Sequence, residues 1–335
     1  MRFTIRFFAA VLFALPALCL PGLARAGTAV VAAFYYPWFG SPQDGGYEHW
    51  AQNGHAPPSD IASNYYPAYG PYSSSNAAVI ATQLNEVERA GIDELVVSWW
   101  GRGSSEDRVL PDVLAGAKGT STTIAVHLEP YPGRTVVSVL GDASYLRSLG
   151  IRTLYVYEPF AGIAAADWAA ANDALRADGM TTFAQTALPG QAAAGHFDGL
   201  YTYDIVTYTA RIFVRLCREA HALRLLCAPS VGPGYDARRA RGDPRLKPRR
   251  RGVTYDTMWR AAVAAGADGV TVTSFNEWQE GTQIEPAIPL RLGEYRYISY
   301  DGAWGLHGAS AETSYLDRTA AWAAFYRKAA PEPRP

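Results

Sequence analysis

The sequence of 335 residues has almost no net charge, only three cysteines and no long apolar run beyond its start. Its 30 Lys and Arg residues nearly balance 31 Asp and Glu residues, so no overall field draws it towards nucleic acid or an anionic membrane. Past the first 26 residues, no apolar run reaches the roughly 20 residues that a membrane-spanning helix requires. We therefore predict an uncharged partner, no binding to nucleic acid and no membrane span.

The first 26 residues have the features of an export signal. Arg2 and Arg6 give a basic start, an apolar run covers residues 7–20, and residues 24–26 read Ala-Arg-Ala, a small-residue cleavage site. This pattern predicts a signal peptide over 1–26 and a protein that is secreted or periplasmic. The Pro-rich end, residues 330–335, is predicted to be a disordered tail.

The cysteines leave two interpretations open. Cys19 lies in the leader, so only Cys217 and Cys227 belong to the mature chain. A disulfide between them is one possibility in an oxidising compartment. Cys217 falls in a predicted helix and Cys227 in a predicted buried strand, where small apolar thiols are common, and we favour two free buried thiols. No Cys/His cluster has metal-ligand spacing, so no metal or cofactor is predicted.

About eight short β-rich apolar runs alternate with helical patterns, which is typical of parallel βα units. The predicted strands cover 29–36, 94–100, 122–131, 153–158, 181–186, 199–204, 224–230 and 269–276. The clear helices cover 77–90, 164–176, 209–222, 255–265 and 312–327, whereas the connection at 189–196 is too short for a convincing helix. The sequence therefore predicts a single-domain (β/α)8 TIM barrel over residues 27–329.

Two predicted loops, 37–76 and 232–252, are far longer than the usual βα connection of about two to six residues. Both follow strands, so both should lie on the C-terminal face, where barrel enzymes keep their active sites. The aromatic fraction is 13%, with 21 Tyr and 9 Trp. Rings with a polar edge suit sugar recognition, but they could equally fill a large core.

The segment leaving the last predicted strand carries two carboxylates, Glu277 and Glu280, three positions apart. If the chain turns there, their Cβ atoms come within about 5–6 Å, close to the roughly 5–5.5 Å between carboxyl groups in retaining glycosidases. Repulsion should raise one pKa and leave an acid beside a base. The alternative is that Glu277 pairs with a neighbouring Arg and Glu280 is merely solvated.

Eight stretches together resemble glycoside hydrolase family 99, the endo-α-1,2-mannosidases and endo-α-1,2-mannanases. They are FYYPWFG (34–40), HAPPSDIASNYYPAYGPYSS (55–74), VVSWWG (96–101), HLEPY (127–131), YVYEPF (155–160), DGLYTYD (198–204), PSVGPGYD (229–236) and TSFNEWQEGTQIEPA (273–287). The resemblance implies metal-free cleavage inside α-1,2-linked mannose chains with retention of configuration. Glu277 would deprotonate the substrate's 2-hydroxyl to give a 1,2-anhydro sugar, and Glu280 would protonate the leaving oxygen and then activate water.

By the same resemblance, six further residues have expected roles. Tyr35, Tyr36, Glu129, Tyr203 and Asn276 would contact sugar hydroxyls or hold the carboxylates. Trp100 would pack on the sugar beyond the cleaved mannose, which favours a mannose-only substrate such as an α-mannan. The expected partner is thus a mannose-containing oligosaccharide or polysaccharide, with a high-mannose glycan as a second possibility.

Two features depart from a plain match. Gln279 stands where the family motif has His, which leaves room for a non-catalytic glycan-binding barrel or one that acts in polysaccharide assembly. Residues 238–251 form a basic loop with eight Arg and Lys against the single Asp243. This loop is either a solvated insertion or a site that favours sulfated or phosphorylated substrates, since guanidinium groups bind such anions bidentately.

Overall fold

A computed structural model describes residues 29–329, and within them nine parallel strand segments form one sheet. The segments are β1 (Val30–Tyr35), β2 (Glu94–Trp99), β3 (Thr123–Leu128), β4 (Thr153–Val156), β5 (Thr181–Gln185), β6 (Gly199–Tyr201), β7 (Leu226–Ala228), β8 (Ser230–Val231) and β9 (Gly269–Val272). The predicted signal peptide, 1–26, and the predicted tail, 330–335, lie outside the described residues.

The sheet closes into a barrel through a seventh strand that is broken in two. β7 pairs with β6 and β8 pairs with β9, while β9 also pairs with β1. Only Pro229 separates β7 from β8, and proline has no N–H with which to continue the ladder. The ring therefore has eight strand positions, the seventh of which consists of two segments. The predicted (β/α)8 TIM barrel is confirmed.

A helix follows each of the eight strand positions. These helices are α1 (Ala77–Arg89), α2 (Ser105–Ala117), α3 (Val136–Ser148), α4 (Ala165–Ala177), α5 (Pro189–Ala194), α6 (Phe213–Ala222), α7 (Val253–Ala264) and α8 (Ser314–Ala329). The connection judged too short for a helix contains α5, a single short helix that starts at Pro189, a residue well suited to a first helical turn. None of the helices within residues 29–329 has the length and apolarity needed to cross a membrane.

The long loops carry short elements on the C-terminal side of the barrel. Three two-stranded ladders pair Tyr66–Pro67 with Ala287–Ile288, Tyr235–Asp236 with Leu246–Lys247, and Arg291–Leu292 with Tyr295–Arg296. Short helices cover Arg238–Arg241 and Ala309–Glu312, and 3-10 turns cover Pro42–Asp44, Gln52–Gly54, Ala210–Ile212, Arg250–Gly252, Trp278–Glu280 and Ala303–Gly305.

Aromatic rings fill much of the barrel interior. Phe34 lies 4.6 Å from the His127 ring and 5.5 Å from the Tyr201 ring, and Tyr155 stacks on Phe183 at 4.8 Å. The polar edges of these rings are paired inside the core, since His127 Nε2 and the Tyr201 hydroxyl are 2.9 Å apart. Part of the high aromatic content is therefore structural rather than a surface for sugar.

The prediction of two free thiols is wrong, because Cys217 and Cys227 form a disulfide. Cys217 lies on α6 and Cys227 on β7, and both side chains are fully buried where the helix packs on the strand. Their Cα atoms are 5.2 Å apart, inside the range of about 4.4–6.8 Å that a disulfide requires. The sequence pattern placed each residue correctly but did not show that helix and strand bring them face to face.

Replacing both cysteines, Cys217→Ala with Cys227→Ala, should lower the free energy of unfolding by about 2–3 kcal/mol, because the bridge constrains the unfolded chain. Denaturant unfolding of the variant and of the wild type, each without reductant, measures the difference. Reductant should destabilise the wild type and leave the variant unchanged. Equal midpoints for the two proteins, or peptide mass spectra showing both thiols free, would contradict the disulfide.

Candidate active site

The turn that follows β9 brings the two predicted acids together. Glu277 immediately precedes the 3-10 turn Trp278–Glu280, and residues three apart in such a turn lie one above the other. Gly281 ends the turn in a left-handed conformation, with φ of 62°. A Cβ atom at Gly281 would lie 3.2 Å from the Asp236 carbonyl oxygen, so a glycine fits both the conformation and the space.

Both carboxylates face one guanidinium group. Arg241 Nη1 is 2.9 Å from Glu280 Oε1, and Arg241 Nη2 is 3.9 Å from Glu277 Oε1. The Glu277 side chain is buried, whereas Glu280 reaches a cavity of about 60 Å³ that Tyr157, Tyr203 and Tyr235 also line. The alternative of an ion pair at Glu277 and a solvated Glu280 holds only in part. Glu277 does lie within ion-pairing distance of an arginine, but Glu280 is mostly buried and pairs with the same arginine instead of being solvated.

The electrostatics of the pair favour retention of a proton near neutral pH. Burial raises the pKa of Glu277 well above its ordinary value, and the neighbouring Glu280 raises it further. Burial also raises the pKa of Glu280, to about 7, while Arg241 acts against both shifts. Two such close groups titrate as a pair, so one acid and one base can coexist there.

Tyr203 and Tyr36 form a hydrogen-bonded chain that ends at Oε2 of Glu277, whereas Arg241 lies near Oε1. The Tyr203 hydroxyl donates to Glu277 Oε2 at 2.5 Å, and the hydroxyls of Tyr36 and Tyr203 are hydrogen-bonded to each other. Burial raises the pKa of both tyrosines, and the negative charge of Glu277 adds to the effect. Both therefore stay protonated and can donate hydrogen bonds to the carboxylate or to a sugar hydroxyl.

Asn276 ties the turn to the chain leaving β1. Its Oδ1 accepts from the Tyr36 backbone N–H at 2.7 Å, and its Nδ2 donates to the Tyr36 carbonyl at 3.1 Å. The same Nδ2 donates to the Tyr72 hydroxyl at 3.2 Å. This fully buried amide thus fixes Tyr36 relative to the two acids.

A buried acid, Glu285, anchors the middle of the turn. Its Oε2 accepts from Trp278 Nε1 at 2.7 Å and from the Tyr72 hydroxyl at 2.8 Å. Its Oε1 accepts from Gln83 Nε2 at 2.7 Å, which joins the turn to helix α1. Glu285 is fully buried, so these bonds form without competition from solvent. They hold the indole between Glu277 and Glu280 in one position.

Family comparison identifies the chain. The family model described as glycosyl hydrolase family 99 matches residues 28–157 and 182–328. The chain belongs to glycosyl hydrolase family 99. It is therefore a glycoside hydrolase, as the resemblance implied.

Individual relatives agree with this family. The chain is 31% identical to a glycoprotein endo-alpha-1,2-mannosidase-like protein of Danio rerio, over 88% of this chain and 78% of that protein. It is 28% identical to a glycoprotein endo-alpha-1,2-mannosidase of Xenopus laevis, over 88% and 76%. The solved GH99 endo-alpha-mannosidase of Bacteroides thetaiotaomicron superposes with a TM-score of 0.80 at 29% identity, covering 89% of this chain and 98% of that one.

In this family 99 glycosidase, most of the predicted site residues follow directly on the ends of their strands. Tyr36, Trp100 and Glu129 each come one residue after a strand, and Tyr203 comes two residues after β6. Glu129 is buried, accepts from Ser98 Oγ at 2.7 Å and has His127 Nδ1 at 2.9 Å from its Oε1. Its negative charge contributes to the raised pKa of Tyr36, so Glu129 lies close enough to Tyr36 to influence it electrostatically.

Two predicted residues occupy different environments from the others. The Tyr35 hydroxyl donates to Gln83 Oε1 at 2.7 Å, which turns it towards α1 and the Glu285 network instead of the acids. Adjacent strand residues point to opposite faces, so Tyr35 and Tyr36 could not both face the cavity. Trp100 is 37% exposed and, among the described residues, has no hydrogen-bond or ring partner. It leaves a free indole face at the rim of the barrel.

Gln279, the position that departs from the family motif, is buried inside the turn. Its Nε2 donates to the His49 carbonyl at 3.3 Å, whereas its Oε1 has no hydrogen-bond partner among the described residues. The His49 ring stacks on Trp38 at 4.5 Å, and burial together with Arg241 lowers its pKa to about 4. A neutral imidazole from the long loop therefore lies near the acids although the motif itself lacks His.

Arg241 was not predicted as a site residue, because it is one of eight basic residues in its loop. Within the same loop, Arg245 pairs with Asp243 at 2.7 Å and lies 3.4 Å from Asp204. The side chains of Arg241 and Arg245 are about half exposed, so the interpretation of residues 238–251 as a solvated insertion holds in part, although both arginines also pair with acids. The position of this loop directly after the seventh strand indicated that it lies near the active face. Nothing in the sequence distinguished Arg241 from the other basic residues of the loop.

Replacing Arg241, as Arg241→Gln, should move the acidic limb of the kcat/KM profile to higher pH. The guanidinium lowers the pKa of both carboxyl groups, so without it each keeps its proton to a higher pH and less of the base is ionised. We expect kcat/KM on the acidic side to fall about tenfold or more, the scale of a hydrogen bond to a charged group. The matched control is Arg215→Gln, exposed on α6. An unmoved limb in Arg241→Gln would contradict this role.

Proposed function

We propose that this enzyme cleaves α-1,2-linked mannosides inside a glycan chain, with retention of configuration at the anomeric carbon. The observation that carries the proposal is the buried pair Glu277 and Glu280 facing one arginine across a single turn. The names of the relatives, endo-alpha-1,2-mannosidase and endo-alpha-mannosidase, support the choice of linkage.

The proposed reaction has two steps. In the first, Glu277 takes the proton from the 2-hydroxyl, the freed O2 attacks C1, and Glu280 gives its proton to the departing glycosidic oxygen. The product is a 1,2-anhydro sugar and a shortened chain. In the second step, Glu280 takes a proton from water. The water oxygen attacks C1 and opens the three-membered 1,2-anhydro ring, while O2 recovers its proton from Glu277. Two inversions at C1 give net retention.

The surroundings of Glu280 fit its role, whereas those of Glu277 act in both directions. Burial and the neighbouring Glu280 raise the pKa of Glu277, which opposes the role of a base, while Arg241 and the Tyr203 hydroxyl lower it and favour the carboxylate. The pKa of about 7 at Glu280 suits a group that donates and then accepts a proton near neutral pH. Arg241 lies nearer to Glu280 in this structure, so we expect it to move towards Glu277 when a sugar separates the acids.

The expected substrate is an α-mannan or another mannose-rich glycan. The free indole face of Trp100 offers a stacking surface for the sugar beyond the scissile bond, and Tyr36 and Glu129 offer hydrogen bonds to hydroxyl groups. Neutral, polar-edged rings suit an uncharged glycan. The alternative of a barrel that binds glycan without cleaving it, a binding-only barrel, rests on Gln279 alone, whose Oε1 lacks a partner within residues 29–329.

We propose that the protein acts outside the cytoplasm, either secreted or in a periplasm. The leader pattern of residues 1–26 carries this proposal. The disulfide between Cys217 and Cys227 supports it, since such bonds form and persist in oxidising compartments.

Replacing either acid, Glu277→Gln or Glu280→Gln, should reduce cleavage of an α-1,2-linked mannan by about 10²- to 10⁴-fold, the usual contribution of one general acid or base. Product sizes and the anomer first formed, followed by chromatography and NMR, give the measurement. Glu294→Gln serves as the control, because the Glu294 side chain is fully exposed.

The proposal fails if both Gln variants keep near-full activity or if the wild type forms the inverted anomer first. A wild type that binds mannan but leaves its length unchanged would instead favour the binding-only barrel.

A further inference from the structure

A second cavity lies beside the turn that carries Glu277 and Glu280. The ladder formed by Tyr235–Asp236 and Leu246–Lys247 separates it from the smaller cavity at Glu280. The volume of the second cavity is about 320 Å³, near the lower end of the roughly 300–1,000 Å³ typical of small-molecule sites. Neither Glu277 nor Glu280 lines it, whereas Gly281, the residue after Glu280, does. Tyr235 lines both this cavity and the smaller one at Glu280, so the ladder forms the wall between them.

Five basic side chains line this second cavity, against two acids. Arg238 holds Asp236 through two hydrogen bonds, and Lys247 donates to the Ile205 carbonyl. The other acid, Asp301, accepts from the Gly308 backbone N–H at 3.2 Å and lies 3.0 Å from His307 Nδ1. Three arginines remain, and none of them has an acidic partner within ion-pairing distance among residues 29–329.

Arg249 forms the floor of the cavity and is 8% exposed. Its Nη2 donates to the carbonyl oxygens of Gly281 and Gln283, and its side chain also interacts with the Tyr315 hydroxyl, while its Nε and Nη1 lack a hydrogen bond of good geometry within the described chain. Its guanidinium lies 4.6–4.7 Å from the ring centres of three tyrosines, Tyr65, Tyr300 and Tyr315. The rings stabilise the cation but do not cancel its charge, so the cavity floor keeps a positive potential.

Arg250 and Arg251 also line the cavity, and their exposed side chains have no hydrogen bond or ion pair to any described residue. Both adopt left-handed backbone conformations, with φ of 48° and 51°, which non-glycine residues rarely do. Consecutive strained residues persist only where the surrounding structure holds them. Both residues line the same cavity as Arg249, so three arginines surround one space.

We propose that this cavity binds a tetrahedral oxyanion, a phosphate or sulfate group, either free or as a substituent of a saccharide. Guanidinium groups match such anions in charge and geometry. The site lies here rather than at the acids because Arg241 and Arg245, which lie near the acids, are already paired with carboxylates. The proposal does not depend on the linkage that the enzyme cleaves.

Calorimetric titration with inorganic phosphate, mannose 6-phosphate and mannose, at constant ionic strength, tests the proposal on the whole protein. The wild type should bind both phosphate compounds, and the double variant Arg250→Gln with Arg251→Gln should bind them at least tenfold more weakly. Tighter binding of mannose 6-phosphate than of phosphate assigns the anion to a saccharide, whereas equal binding assigns it to the free ion. Mannose shows what the sugar ring contributes alone.

A charge-matched control is Arg215→Gln with Arg218→Gln, two exposed arginines on the outer side of α6, which should bind phosphate like the wild type. Thermal unfolding checks that both double variants are folded, and cleavage of neutral mannan should stay unchanged in both. The inference is overturned if the wild type binds neither phosphate compound, or if the Arg250 and Arg251 variant binds them as the wild type does. Either result leaves the proposed mannosidase activity untouched.

Discussion

The structure depends on keeping two mutually repelling carboxylates side by side in a mostly buried position. Burial and proximity both oppose ionisation of Glu277 and Glu280, and Arg241 with the Tyr203 hydroxyl compensates part of that cost. Such an arrangement relaxes unless the backbone that carries it is rigid. The 3-10 turn at Trp278–Glu280 supplies the spacing, and its neighbours prevent it from opening.

Those neighbours come from parts of the chain far apart in sequence. Asn276 joins the turn to the end of β1, Glu285 joins Trp278 to helix α1 through Gln83, and Arg249 holds the carbonyl of Gly281. The long loops thus have two functions. They support the turn through Tyr72, which donates to Glu285, and they pair with the acids through Arg241. The loop that follows the seventh strand also lines the cationic cavity.

The sequence was sufficient for the barrel and for the position of the acids, because strand alternation and the Glu-x-x-Glu spacing are local signals. It did not reveal α2 and α3, although Ser104 and Thr135 cap them as helix-starting residues often do. Contacts between distant parts of the chain could not be predicted. The disulfide of Cys217, the opposite directions of Tyr35 and Tyr36, and the role of Arg241, one of eight basic residues in its loop, all depend on packing. Glu285 likewise resembles any acid near the motif until its burial is seen.

The central claim is that both acids act on one sugar ring. A crystal structure of the Glu277→Gln variant with an α-1,2-linked mannotetraose tests it most directly. We expect the 2-hydroxyl of one internal mannose to lie within hydrogen-bonding distance of residue 277. The glycosidic oxygen that leaves C1 of the same mannose should lie within hydrogen-bonding distance of Glu280. A chain bound with the two residues facing different sugars, or seated away from the turn, would contradict it.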